Sequence, residues 1–245
     1  MRLSLVHARY QLLETVRVPI ALIGTVFFPA VAMLFFVVPF VGDDPVAATY
    51  ATASMVTFAV MVSNLFQYGV GISEDRAQPW DPYTRTLPAG PAPRLVGRII
   101  AGLTMMFVSL LPVVLIAALL TAATVTPTGL LAALGVVVVA ALPFILMGLA
   151  IGYALPNKAA LAVAQIIFFP LAFGGGLLSD PDHAPAFIQA IAPYLPTRGA
   201  VELMWAAVGD FRVKPVSIAM LVVWTVVMAV LAAWAYRRDE GRRFN

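Results

Sequence analysis

The chain has 245 residues, 62% of them hydrophobic and 11% charged, with a mean hydropathy of +0.95 and a formal net charge of +3. Soluble domains carry roughly 25% charged residues, so the composition excludes a water-solvated fold and makes lipid the solvent. Cysteine is absent, which excludes disulfides and thiol chemistry, and no basic patch with interleaved aromatics points to nucleic acid.

Residues 1–17 place Leu3, Val6, Tyr10 and Leu13 at helical spacing, with Arg2, Arg9 and Arg17 elsewhere. This pattern predicts an amphipathic helix lying in the membrane interface. A signal peptide would show a short apolar core and a small-residue cleavage site, and neither is visible.

Six apolar windows follow, each near the roughly 20 residues that a helix needs to cross the hydrocarbon. They are residues 18–41, 46–72, 95–124, 129–155, 159–178 and 216–236. Helices satisfy their own backbone in lipid, and the alternation of a barrel strand is missing. The predicted fold is therefore an all-α integral membrane protein, a single transmembrane domain over 1–245. The connections GDDP (42–45), TVTPTG (124–129) and PNKA (156–159) are short and predict antiparallel hairpins. Two connections are longer, residues 73–94 and 179–215.

Charge placement orients the chain. With a cytoplasmic N-terminus, twelve basic residues fall on inside segments: Arg2, Arg9, Arg17, Arg76, Arg85, Arg94, Arg98, Lys158, Arg237, Arg238, Arg242 and Arg243. Only Arg198, Arg212 and Lys214 fall outside. That asymmetry is the positive-inside pattern, and it puts both termini inside, as six spans require. The outer connection is broken by Pro185, Pro193 and Pro196 and predicts two short helices. They either dip into the outer face or pack over the bundle.

Chemistry is sparse. No span interior carries an acid, Lys, Arg or His, where an ion-coupled transporter places them. His7 and His183 fall on opposite sides and cannot share a metal. No GxxxxGK[ST] phosphate loop exists, so this chain has no such ATP site. No internal repeat is visible either, which speaks against a two-halved secondary transporter. The polar stretch SEDRAQPWDPYTRTLPAG (73–90) stands out. Asp81 before Pro82 is a good helix start, and Pro88 ends the helix. The outcome is a short cytoplasmic helix displaying Tyr83, Arg85 and Leu87, with Trp80 just before it, a set of anchors suited to docking a partner.

The order of these features carries a resemblance. The cluster Glu74–Asp75–Arg76, the short helix, the TLPAG turn and the Gly97–Arg98 pair resemble the permease subunits of type-2 ATP-binding-cassette (ABC) exporters. The stretch FFPLAFGGGLLSDPDHAPAFIQAIAPYLPTRGAVELMW (168–205) is similar to that family's fifth span and small extracellular helices. The likeness runs along the whole chain. Where many members carry a Gly-Thr-Leu-Glu-like run, this chain reads QPWDPYTRTL, which leaves the subgroup and the substrate open.

The resemblance implies a bacterial inner-membrane permease that pairs with a second permease chain, identical or different, and with cytoplasmic ATPase subunits. Cofactors are none in this chain, with ATP and Mg on the ATPase. It further implies that Trp80, Tyr83, Arg85 and Leu87 sit in a groove on the ATPase, that Asp75 and Asp81 belong to the same ATPase-coupling segment, and that Glu74 and Arg76 are at its hinge. The hinge would be salt-bridged to the N-terminal helix. Spans one, two and five would line the dimer interface and the substrate path, with Asn64, Gln67, Gln165, Phe168 and Phe169 as candidates. For the amides the plainer alternative is an interhelical hydrogen bond; for the phenylalanines it is lipid or core packing. Gly148 and Gly152 make a GxxxG that permits close helix packing. The apolar path suggests a drug, natural product or lipid as cargo. The competing reading is a membrane scaffold or assembly factor whose inner loop docks another protein. A membrane enzyme acting on lipid would need a buried acid, His or Cys set, and the spans show none.

Overall fold

Asp44 and Thr126 each stand before a proline, and each opens a long helix. The Asp44 carboxylate accepts from the backbone N–H groups of Val46 (2.8 Å) and Ala47 (2.9 Å), and the Thr126 hydroxyl accepts from Gly129 N–H (3.0 Å). Both side chains satisfy donors that the first helical turn leaves free, while proline at the first position has no N–H to lose. In this computed structural model, which describes residues 2–17, 19–79, 92–178 and 185–241, the described elements are helical and none is a strand.

In chain order they are α1 (Arg2–Arg17), α2 (Pro19–Ala32), a π-helical turn (Met33–Val37), α3 (Val38–Val41), α4 (Pro45–Ala77), α5 (Ala92–Leu120), α6 (Pro127–Ala154) and α7 (Asn157–Gly174). Then come α8 (Ala186–Ile191), a 3₁₀ turn (Ala192–Tyr194), α9 (Pro196–Val208) and α10 (Pro215–Gly241). Five of these, α4, α5, α6, α7 and α10, are long and apolar enough to cross a membrane. The first predicted window takes a different form. It is helical from Pro19, but the register changes at Met33–Val37, where Val38 N–H donates to Met33 O. Pro39 is the cause that the sequence offers. It has no N–H for the carbonyl four residues before it, and the π turn sits where that bond is lost. The apolar stretch of this region, Val26–Val41, is shorter than the other five.

Helix α4 is the hub. Of its apolar window 67% is buried, against 17% for α10, and it packs on α2, α5, α6, α7 and α9. Its closest partner is α6, and the reason is glycine. A Cβ at Gly148 would lie 2.8 Å from Tyr68 Cβ, and one at Gly152 would lie 2.5 Å from Tyr68 O. The GxxxG thus lets two backbones meet where any side chain would part them.

Near the α4 N-terminal end, α9 is wedged among α4, α6 and α10. Trp205 is fully buried, and its indole N–H donates to Tyr50 O (3.1 Å) and Ser54 Oγ (3.0 Å), in the second and third turns of α4. Helix α9 is therefore packed into the bundle, among α4, α6 and α10. The glycine run after α7 makes this possible. Gly176 has φ +77 and turns the chain, and Thr197 at the start of α9 donates to Leu171 O (2.8 Å) across Gly175, which has no side chain to bar the approach.

Candidate functional site

At the opposite end of the bundle, the polar stretch leaves α4 and returns as α5. Trp80, Asp81, Tyr83, Arg85 and Leu87 lie outside the described residues, as does His183. The roots of the stretch are described, and they are tied down by charge. Asp75 at the end of α4 forms an ion pair with Arg98 in the second turn of α5. With its amide turned to accept, Gln11 of α1 places its oxygen 3.0 Å from Arg98 Nη2. Helix α1 reaches this position by laying Ser4 and Ala8 on Gly97, where a Cβ would lie 2.7 Å from His7 Cβ. The apolar stripe Leu3, Val6, Tyr10 and Leu13 is left exposed on the other side of α1.

Arg76 works in the opposite direction. Its guanidinium donates to Asp239 near the end of α10 (2.5 Å), to Gly152 O (2.7 Å) and to Leu155 O (3.1 Å) at the end of α6. Asp239 is itself nearly inaccessible to solvent. A planar guanidinium with several forked donors is suited to such a three-way bond, where a lysine would serve as a point charge. This corrects the expected salt bridge between Arg76 and the N-terminal helix. Arg76 pairs with the last helix and not with α1, because the end of α4 runs past the ends of α6 and α10. Contact with α1 passes instead through Arg98. Glu74 points to solvent.

The five path candidates do not share one environment. Asn64 is buried between α4 and α5, where its amide nitrogen donates to Val60 O (2.7 Å) and approaches Met106 Sδ (3.1 Å), while its carbonyl oxygen has no partner. Gln67 is half-buried, and Gln165 is exposed on α7. Phe168 is buried against Phe58 and Phe66, with ring centroids at 5.5 and 6.0 Å. Phe169, its neighbour, is 52% exposed.

A second charged site was not singled out from sequence. Arg198 and Glu202, one helical turn apart on α9, are both buried. Arg198 Nε donates to Glu202 Oε1 (2.6 Å), and Lys214 N–H donates to Oε2 (2.9 Å). The Arg198 guanidinium lies over the Trp205 ring, 4.9 Å from its centroid. The available signal was an Arg–Glu pair at i, i+4 within an otherwise apolar stretch. Asp239 had a weaker one, an acid among the arginines after the last span.

This arrangement is a bundle of apolar helices with one charged anchor at the root of a polar connection. A model of the ABC-2 type transporter family matches residues 4–208. The chain belongs to that family. It is also similar to a Bacillus subtilis (strain 168) protein named "Putative transport permease YvfS", with 23% identity over 188 residues and 77% of each chain covered. Membership makes this chain a multi-pass membrane transport permease, a subunit that is not itself an enzyme and that partners an ATPase subunit. The anchor is what the ABC-2 permease presents around the ends of its polar connection.

Proposed function

We propose that this ABC-2 permease is the membrane half of an ATP-driven exporter. It works with a second permease chain, identical or different, and with ATPase subunits that hold ATP and Mg. Both termini face the cytoplasm, and the run Pro19–Val41 completes six spans in a bacterial inner membrane. The exposed stripe of α1 lies in the interface. The segment containing Trp80, Asp81, Tyr83, Arg85 and Leu87 seats on the ATPase, and Glu74, Asp75 and Arg76 form its hinge. The cargo is hydrophobic or amphipathic, moving along spans one, two and five past Asn64, Gln67, Gln165, Phe168 and Phe169.

The observation that carries this reading is the double anchor. Asp75–Arg98 clamps the two roots of the polar segment to each other and, through Gln11, to α1. Arg76 joins the same point to α6 and α10. A pull on the segment therefore bears on the ends of α1, α4, α5, α6 and α10 together, as a power stroke from a soluble subunit requires. A loop that merely connects two spans has no use for two charge pairs reaching three other helices.

The test is capture of the partner. Tagged chain purified in mild detergent from its native membrane should bring a stoichiometric ATPase with a phosphate-loop motif. Tyr83→Ala combined with Leu87→Ala should insert normally and lose that protein. Undiminished capture by the double variant would sink the docking assignment, and a wild-type chain that brings down no ATPase would favour a scaffold.

A further inference from the structure

The anchor accounts for the charges at the roots of the polar segment, but not for a groove beside it. Helices α6, α7 and α10 leave an open apolar groove of about 560 Å³ between them. Ile151 of α6 and Ile167 of α7 line it, with Leu155 just after α6, together with Trp224, Met228, Leu231 and Trp234 of α10. Its volume falls within the roughly 300–1,000 Å³ of ligand pockets, but such pockets fix their ligands with a few convergent polar groups. This one has none along its length. The Trp224 indole N–H is already bound to Tyr194 O (2.9 Å).

Among the described residues, a cation stands over one end. Arg238 is exposed one turn beyond Trp234 and lies over its ring, 5.1 Å from the centroid. Lys158 is exposed at the start of α7, three residues past the lining residue Leu155. From Trp224 to Trp234 the helix rises by about 15 Å at ~1.5 Å per residue, which is half of a hydrocarbon core of ~30 Å. The groove is thus one leaflet deep and apolar throughout, with Trp234 and the Arg238 guanidinium at one end and Lys158 at the start of the α7 helix that lines it.

We infer that this groove is a binding site for one anionic phospholipid. An acyl chain lies along α10 between Trp224 and Trp234, and the headgroup phosphate is held by Arg238 and Lys158. Tryptophan at this depth is a common interfacial anchor, and a basic residue near an anionic lipid surface adds to its attraction. The site stands on the membrane placement of the chain and not on ATP coupling, so the two readings fail separately. The orientation proposed above would make it a site in the cytoplasmic leaflet.

The test is tryptophan quenching by lipid brominated in mid-chain. The full chain carrying Trp80→Phe retains three tryptophans, of which Trp205 is fully buried at the other end of the bundle. Vesicles mixing phosphatidylcholine and phosphatidylglycerol carry the bromine on one or the other. The expected result is about fivefold preference for phosphatidylglycerol at Trp224 and Trp234. The preference should fall with Arg238→Gln or Lys158→Gln and be kept by Arg238→Lys. Equal quenching by the two headgroups overturns the inference, and so does a preference untouched by both neutral variants. Little quenching by either lipid also overturns it, since a second copy or a partner helix then fills the groove.

Discussion

Glu202 has no exposed surface, yet both of its carboxylate oxygens are used, one by Arg198 and one by the backbone of Lys214. It therefore holds two things at once, the guanidinium beside Trp205 and the turn that leads from α9 into α10. Removing one partner of a buried pair leaves the other charge uncompensated, at a cost of about 3–5 kcal/mol. Glu202→Ala is expected to lower the melting temperature of the detergent-solubilised chain sharply. Arg198→Met with Glu202→Leu should lose less than Glu202→Ala alone, because no unpaired charge remains; the Lys214 N–H still loses its acceptor. A double variant as unstable as the sum of its two single variants would mean that the residues act independently. This pair was legible only as spacing. The sequence shows Arg and Glu one turn apart, but nothing in it says that α9 is wedged between spans, and only burial makes the pair energetically important.

At the scale of elements, hydropathy reads well because lipid leaves the backbone so few options. The five long helices overlap the predicted windows, with α4 running on to Ala77 and α5 starting at Ala92, and the short connections sit at GDDP, TVTPTG and PNKA. The register change at Met33–Val37 was not legible, since a proline in a span is tolerated in several ways, and Pro112, Pro143 and Pro170 all lie inside helices of unbroken register. The GxxxG in α6 was legible, but its partner was not. Spacing identifies a smooth face, and only the fold shows that Tyr68 of α4 rests on it. Gly152→Ala should therefore force the α4–α6 backbones apart and disturb the carbonyl that Arg76 grips, at a cost of about 1–3 kcal/mol from overpacking. Gly135→Ala, on the same helix with no atom within 4 Å of an added Cβ, should leave stability unchanged or raise it slightly. Thermal melts of the two variants side by side check both. Equal losses would mean that helix flexibility, and not the close approach to α4, is what glycine supplies.

For the whole molecule, the basic residues and the anchor gather at the same end of the bundle. The end that carries Arg76, Arg98, Lys158, Arg237 and Arg238 is also the end where the polar segment emerges. Cytoplasmic loops accumulate such residues because they resist translocation, and a soluble ATPase can reach only that side. The chain suits a direct test because it has no cysteine of its own. Cysteine introduced as Asp43→Cys before α4, as Lys158→Cys at the start of α7 and as Arg212→Cys before α10 gives three exposed single-site probes, two at one end and one at the other. A membrane-impermeant maleimide added to intact cells (spheroplasts where an outer membrane intervenes) should label Asp43→Cys and Arg212→Cys, and should reach Lys158→Cys only after permeabilisation. The reverse pattern would turn the molecule over and place the anchor where no ATPase could use it. Protection of Asp43→Cys alone, with Arg212→Cys labelled, would mean that the turn before α4 is shielded rather than turned inward, because Trp205 and Gly209 pack on Tyr50 and so hold the two probes at the same end of the bundle.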